Sequence, residues 1–292
     1  IAWSYGMIIA SRNHLFDTNV LKRRSYNIPV ISVGNITMCG TGKTPHTEYI
    51  VNLLKNSCKV SVLSRGYMRK TKGYVLANEK TEMQDIGDEP FQMHRKFPDA
   101  TIAVSENRCE GIDRLIEEEK VEAVILDDAF QHRYVEPGLS ILLVDFHRPI
   151  SRDHMIPVGL LREPASARKR ADIIVVTKCP QDINPLDIRV TTNDLRMLAF
   201  QKLFFSTIEY SPLKPLFYND VPEMPLFNLK KINVLLVTAI GSPANIVKDL
   251  EPYGAKLKEL HYRDHHQFTE KEVYEINETY SFMSSPKIVT TT

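Results

Sequence analysis

The chain has 292 residues, 43% hydrophobic and 25% charged, which is the balance of a soluble globular protein of two domains or one large one. Lysine and arginine (37) nearly cancel aspartate and glutamate (36), so no global basic field points to nucleic acid, and any attraction to an anionic partner has to be local. Disordered, collagen-like and low-complexity classes are excluded, and no apolar run reaches the roughly 18 residues of a transmembrane helix.

In chain order, residues 1–27 differ in character from the rest of the chain. Trp3, Tyr5, Met7, Ile8 and Ile9 precede Arg12, Lys22, Arg23 and Arg24, with Asp17 the lone acid. An aromatic-apolar helix beside positive charge suits the headgroup region of an anionic membrane surface. The competing reading is a terminal helix docked on the protein's own core. The first residue is Ile1 rather than Met and the last are Val-Thr-Thr-Thr, so a fragment is expected, with no signal peptide in view.

Apolar runs then recur at Ile28–Val33, Lys59–Leu63, Thr101–Val104, Ala123–Leu126, Ser140–Val144, Asp172–Thr177 and Asn233–Thr238. They are near-continuous in Val, Ile and Leu, as in parallel strands buried on both faces. Helix-length patterns such as Thr44–Lys55 and Asn107–Glu119 lie between them. The alternation predicts an α/β fold: a mostly parallel sheet flanked by helices over 28–210. Prolines 212, 215, 222 and 225 predict a linker over 211–230, followed by a smaller α/β domain over 231–292. Cysteines at 39, 58, 109 and 179 form no CxxC pair and are expected as reduced thiols.

The strongest local signal is the strand Ile31-Ser32-Val33-Gly34 feeding Asn35-Ile36-Thr37-Met38-Cys39-Gly40-Thr41-Gly42-Lys43-Thr44. Such a turn directs backbone N–H groups at phosphate oxygens, with a helix N-terminus behind them. Thr37, Gly40, Thr41, Gly42, Lys43 and Thr44 are the candidate nucleotide-binding residues. Lys43 would reach the β/γ-phosphates and the Thr44 hydroxyl would hold Mg²⁺, although Thr37 stands where GxxxxGK[ST] has its first glycine. The strand at 123–126 ends in Asp127-Asp128, at the edge where open α/β sheets bind ligands. One carboxylate would serve Mg²⁺ and the other the substrate. Gly87-Asp88-Glu89-Pro90 sets paired acids at a turn that could also cap a helix. His261, Asp264, His265 and His266 cluster later, but without the Glu of HExxH or a third ligand a zinc site is not expected.

These stretches resemble the tetraacyldisaccharide 4′-kinase family of lipid A biosynthesis. The matching segments, in order, are Pro29–Asn35 with its phosphate loop, Leu63-Ser64-Arg65-Gly66-Tyr67, Gly87–Pro90, Asp127-Asp128-Ala129-Phe130-Gln131-His132, Pro157-Val158-Gly159-Leu160-Leu161-Arg162-Glu163-Pro164 and Asp264-His265-His266. Two departures stand out: Cys39-Gly40 where the family has Gly-Gly, and Ala129 where it has Gly after the paired acids.

The resemblance implies an ATP-dependent kinase for the 4′-hydroxyl of a lipid A disaccharide 1-phosphate, a peripheral protein on the cytoplasmic face of the bacterial inner membrane. It implies Asp88 and His265 as an acid–base pair at the acceptor, with Lys43 and Asp128 also catalytic. It further implies Mg²⁺ at Thr44, Glu89 and Asp127, and substrate contacts at Gln131, His132 and Glu163. No nucleic-acid or protein partner is expected. The alternative is a membrane-associated P-loop ATPase switch with no small-molecule acceptor. Such loops often carry a lysine five residues before the Gly-Lys lysine, and here that residue is Met38.

Overall fold

A computed structural model describes residues 2–38, 40–215, 222–240, 243–263, 266, 268–284 and 287–290. The chain divides into two compact units after Ile208. The first holds α1 (Ala2–Asp17), β1 (Val30–Gly34), α2 (Lys43–Leu54), β2 (Val60–Ser64), β3 (Val75–Leu76), α3 (Met83–Ile86), α4 (Asp88–Lys96), β4 (Thr101–Val104) and α5 (Arg108–Glu119). It continues through β5 (Ala123–Asp127), β6 (Leu139–Asp145), β7 (Ile173–Cys179), α6 (Pro185–Leu195) and β8 (Lys202–Thr207).

Its strands form one eight-stranded sheet in the order β3-β4-β2-β5-β1-β6-β7-β8, parallel except where β3 meets β4. Apolar side chains fill both faces, which is why these strands read as unbroken hydrophobic runs. On one face Val33, Val62, Ile102 and Ile125 pack against Val51 of α2 and Met93 of α4. On the other, Leu63, Val124 and Leu126 pack against Ile112 and Leu115 of α5. Farther along that face, Leu142, Val144, Ile174 and Val176 are covered by Ala167 and Leu195.

The second unit has a parallel three-stranded sheet with β9 (Asn233–Thr238) central between β10 (Lys256–His261) and β11 (Lys287–Thr290), plus α7 (Pro243–Leu250) and α8 (Glu270–Ser281). The segment 211–230, expected as a linker, contributes Leu213, Met224, Leu226 and Leu229 to this unit's core. Proline disfavours α-helix there, yet Leu226–Leu229 still form a short 3₁₀ turn after Pro225, and nothing forbids burial.

Helix α1 is docked on the first unit through a mixed face. Phe16 is fully buried beneath the guanidinium groups of Arg12 and Arg133, at 5.2 and 5.1 Å from its ring. Arg12 donates to the Gln131 carbonyl (3.1 Å), Tyr5 to the Arg162 carbonyl (3.0 Å) and Asn13 to Glu163 (3.2 Å). The outward side exposes Trp3, Met7, Ile8 and Leu15.

The basic residues expected to face headgroups are differently disposed. Arg23 pairs with Asp17 at 3.5 Å and Arg24 with Asp113 at 2.5 Å. Counting charge within 1–27 could not register an acid such as Asp113, which the fold brings from α5.

Candidate active site

The turn after β1 is shaped by its neighbours. Asn35 donates to the Thr41 hydroxyl (2.8 Å), and the Thr177 hydroxyl of β7 donates to the Thr41 carbonyl (2.9 Å). Thr41 is therefore buried at the loop's base, while Gly40 stays exposed. Thr37 bridges to Leu161, and the Met38 amide donates to the Leu160 carbonyl (2.8 Å), so the 157–164 motif folds back along the loop's first limb. Gly42, with φ +81, ends the turn in the left-handed region and opens α2 without a side-chain cap. The first-turn amides of α2 are thus left for a ligand, and the helix dipole adds to their pull on an anion. Cys39 lies outside the described residues.

Lys43, the first residue of α2, brings Nζ to 3.7 Å from Asp128 Oδ2. Asp128 also accepts from both terminal nitrogens of Arg162, at 2.9 and 3.3 Å. Burial pushes the Asp128 carboxyl up, but the Arg162 hydrogen bonds and the Lys43 charge outweigh it and hold it below the usual carboxylate range. The left-handed φ (+46) sits on Asp128 itself, so Ala129, where glycine was the family's residue, is under no such demand.

Asp127 is the opposite case. It is fully buried, Oδ1 accepts from the Thr47 hydroxyl (2.9 Å), and Oδ2 is buried without a partner. Burial, then the charges of Glu89 and Asp128, push its carboxyl up to about 7. Glu89 accepts from the Thr44 hydroxyl at 3.2 Å and is likewise raised, chiefly by burial.

Two motifs far apart in sequence form one piece of this edge. A Cβ on Gly87 (φ +88) would stand 2.7 Å from the Tyr67 carbonyl, and one on Gly66 (φ +72) 2.8 Å from the Ile86 carbonyl. Only glycine allows the two backbones this approach, which sets Arg65–Tyr67 against Asp88 at the start of α4.

The remaining candidates separate. Gln131 donates to the Asn35 carbonyl (2.7 Å), tying the acidic turn to the phosphate loop. His132 is held down to about 4 by burial and then by the charges of Arg108, Arg12 and Arg65, so it is neutral at physiological pH. Glu163, expected in the cleft, is 1% exposed; it pairs with Arg170 at 2.8 Å and receives the Asn13 hydrogen bond beneath α1. Its neighbour Arg162 is the residue that reaches Asp128. Arg162 stands within the Pro157–Pro164 motif, but no local pattern marks its side chain for an aspartate 34 residues away. His265 and Asp264 lie outside the described residues. His266 Nε2–H donates to the Glu272 carboxylate (2.9 Å), and the ring stacks on Tyr262.

The donor set suits Mg²⁺. The partnerless oxygen of Asp127, the Thr44 hydroxyl and the Glu89 carboxylate are hard oxygen donors around one lysine. Among the described residues no three His, Cys, Asp or Glu side chains form a ready cage. Mg²⁺ is typically held by one or two carboxylates together with waters and phosphate oxygens, so no such cage is needed.

Comparison with known proteins gives the family of the chain. A family model described as Tetraacyldisaccharide-1-P 4′-kinase matches residues 1–292. A tetraacyldisaccharide 4′-kinase of Bacteroides thetaiotaomicron is 46% identical, over 100% of this chain and 80% of the relative. One of Phocaeicola vulgatus is 49% identical, over 98% and 79%. The crystal structure of LpxK from Aquifex aeolicus in complex with ATP aligns with a TM-score of 0.75 at 32% identity, covering 99% of this chain and 85% of that one.

Proposed function

The chain belongs to the tetraacyldisaccharide 4′-kinase family and phosphorylates tetraacyldisaccharide 1-phosphate with ATP to give lipid IVA, and from that premise we propose how its residues divide the work. The observation that carries the division is the convergence of Lys43, Thr44, Glu89, Asp127, Asp128 and Arg162 at one sheet edge. Phosphoryl transfer asks for positioning and neutralised charge rather than covalent help from the protein. The amides at the start of α2 and Lys43 bind the β- and γ-phosphates. Asp128, gripped by Arg162, orients Lys43 toward them. Thr44, Glu89 and Asp127 hold Mg²⁺, which when bound neutralises charge on the phosphates.

A sugar hydroxyl needs a base, and a neutral imidazole oriented by a carboxylate can take its proton. Asp88 and His265 have the chemistry of that pair. Gln131 and His132 line the acceptor's side of the acidic turn, and Glu163 acts through α1, which it helps to hold. The test is ATP turnover measured with labelled ATP and the disaccharide lipid in mixed micelles. Turnover strictly dependent on the lipid is expected; equal turnover without it would favour an ATPase switch.

Asp127 offers a second test. A buried carboxylate with a partnerless oxygen costs stability, which sites accept for function. Asp127→Asn is expected to raise the Mg²⁺ concentration for half-maximal rate on the order of tenfold. The nucleotide-free variant should melt no lower than wild type, and about 2–4 °C higher for each kcal/mol recovered. A clearly lower melting temperature would mean that Asp127 is structural.

For the membrane, the apolar outward side of α1 supports attachment to the cytoplasmic face of the inner membrane. No helix among the described residues is long and apolar enough to cross it. Since Arg23 and Arg24 are occupied by acids, the contact rests on Trp3, Met7, Ile8 and Leu15 more than on charge. Trp3→Ser with Ile8→Ser should weaken vesicle sedimentation by roughly 1.5–3 kcal/mol per side chain. Raising salt should matter less than these substitutions. Unchanged sedimentation would place the membrane contact elsewhere.

A further inference from the structure

One strained residue at the sheet edge lies outside the groups assigned to ATP, Mg²⁺ and the acceptor. Strand β7 slips register against β8 between Val176 and Cys179, and Lys178 within that irregularity has φ +58. Lysine seldom adopts this left-handed conformation, and bulges beside active sites re-aim side chains. Here the re-aimed ammonium of Lys178 donates to the Gly40 carbonyl of the phosphate loop and lies 2.9 Å from Asp145 Oδ2. Asp145 closes β6, is nearly buried, and uses its other oxygen to accept from the His147 amide (2.9 Å). The lysine is therefore fixed from behind. The preceding residue, Thr177, grips the next carbonyl of the loop, that of Thr41.

We infer that Lys178 is a positioning residue of the phosphate loop: with Thr177 it holds the Gly40 and Thr41 carbonyls toward β7, so that carbonyl oxygens do not compete with amides for the side facing the triphosphate. The reason is electrostatic. A carbonyl oxygen turned toward a phosphate repels it, and a loop free to flip its peptides would have to be ordered by each incoming nucleotide. A charged donor on one carbonyl and a hydroxyl on the next do that ordering beforehand. The strained backbone at Lys178 is the cost of aiming the ammonium there. This reading rests on the proposal that the loop binds the phosphates of ATP.

The decisive variants are Lys178→Met, which keeps the stem and removes the charge, and Lys178→Gly, which also relieves the left-handed strain. Loss of one charge-assisted hydrogen bond should weaken equilibrium ATP binding roughly tenfold in both. The KM for the disaccharide lipid should stay within about twofold in both variants, since no contact with the acceptor is removed. Hydrogen exchange at the Gly40–Thr44 amides of the nucleotide-free protein should quicken in Lys178→Met, which loss of a mere ligand contact would not cause. Asp145→Asn should give the same pattern more weakly. ATP affinity within twofold of wild type in Lys178→Gly, or unchanged exchange in Lys178→Met, overturns the inference. Lys43→Ala separates the two readings: if it too leaves ATP affinity unchanged, the phosphate-loop assignment itself has failed.

Discussion

Replacing Lys43 with alanine is expected to cut turnover on the order of 10²- to 10³-fold and to leave the fold intact, since removal of one preorganised charge contact costs that much in comparable sites. The fold should survive because Lys43 begins α2 rather than filling the core, and the buried contacts of that helix come from Thr47, Glu48 and Val51. Asp128 would not be stranded either, because Arg162 still holds it through two nitrogens. The loss should therefore appear in chemistry and nucleotide binding and not in melting temperature. Circular dichroism with steady-state kinetics checks this. A well-folded variant with near-normal turnover would remove Lys43 from the mechanism.

His265→Ala and Asp88→Ala are each expected to lower kcat by roughly 10²- to 10⁴-fold, the usual contribution of a positioned general base. Asp88 opens α4 immediately after Gly87, and the close approach of Gly87 to Tyr67 fixes where that helix starts. His265 belongs to the second unit. If carboxylate and imidazole act as one base, the double variant should be little worse than either single one, because groups that work as a unit are not additive. His266→Ala should be milder, since its ring is already engaged by Glu272 and Tyr262. Losses at Asp88 and His265 that multiply would show two independent contributions, and near-normal turnover in His265→Ala would remove it from the chemistry.

The parallel strands were legible in the sequence because their burial on both faces leaves a local mark: Ala123–Leu126 and Asn233–Thr238 read as unbroken apolar runs and are strands. The phosphate loop was legible for a similar reason. A left-handed residue before a helix needs glycine, and Gly42 takes that conformation beside Lys43 and Thr44. The acids of Asp127-Asp128 were legible as a pair, yet nothing local distinguishes them. One is buried beside a hydroxyl and driven toward neutrality, while the other is held charged by an arginine 34 residues away.

What only the tertiary structure decided has that character throughout. Arg23 and Arg24 read as membrane-facing charges, but Arg23 pairs with Asp17 and with the distant Glu136, and Arg24 with Asp113 of α5. Glu163 read as a cleft residue but supports α1, while Arg162 beside it turns to Asp128. Backbone conformation, and the apolar run that burial on both faces requires, are written in adjacent residues, so a single sequence reports them. The partner of a charge is set by which distant segment the sheet brings within a few ångströms, and no local pattern carries that distance.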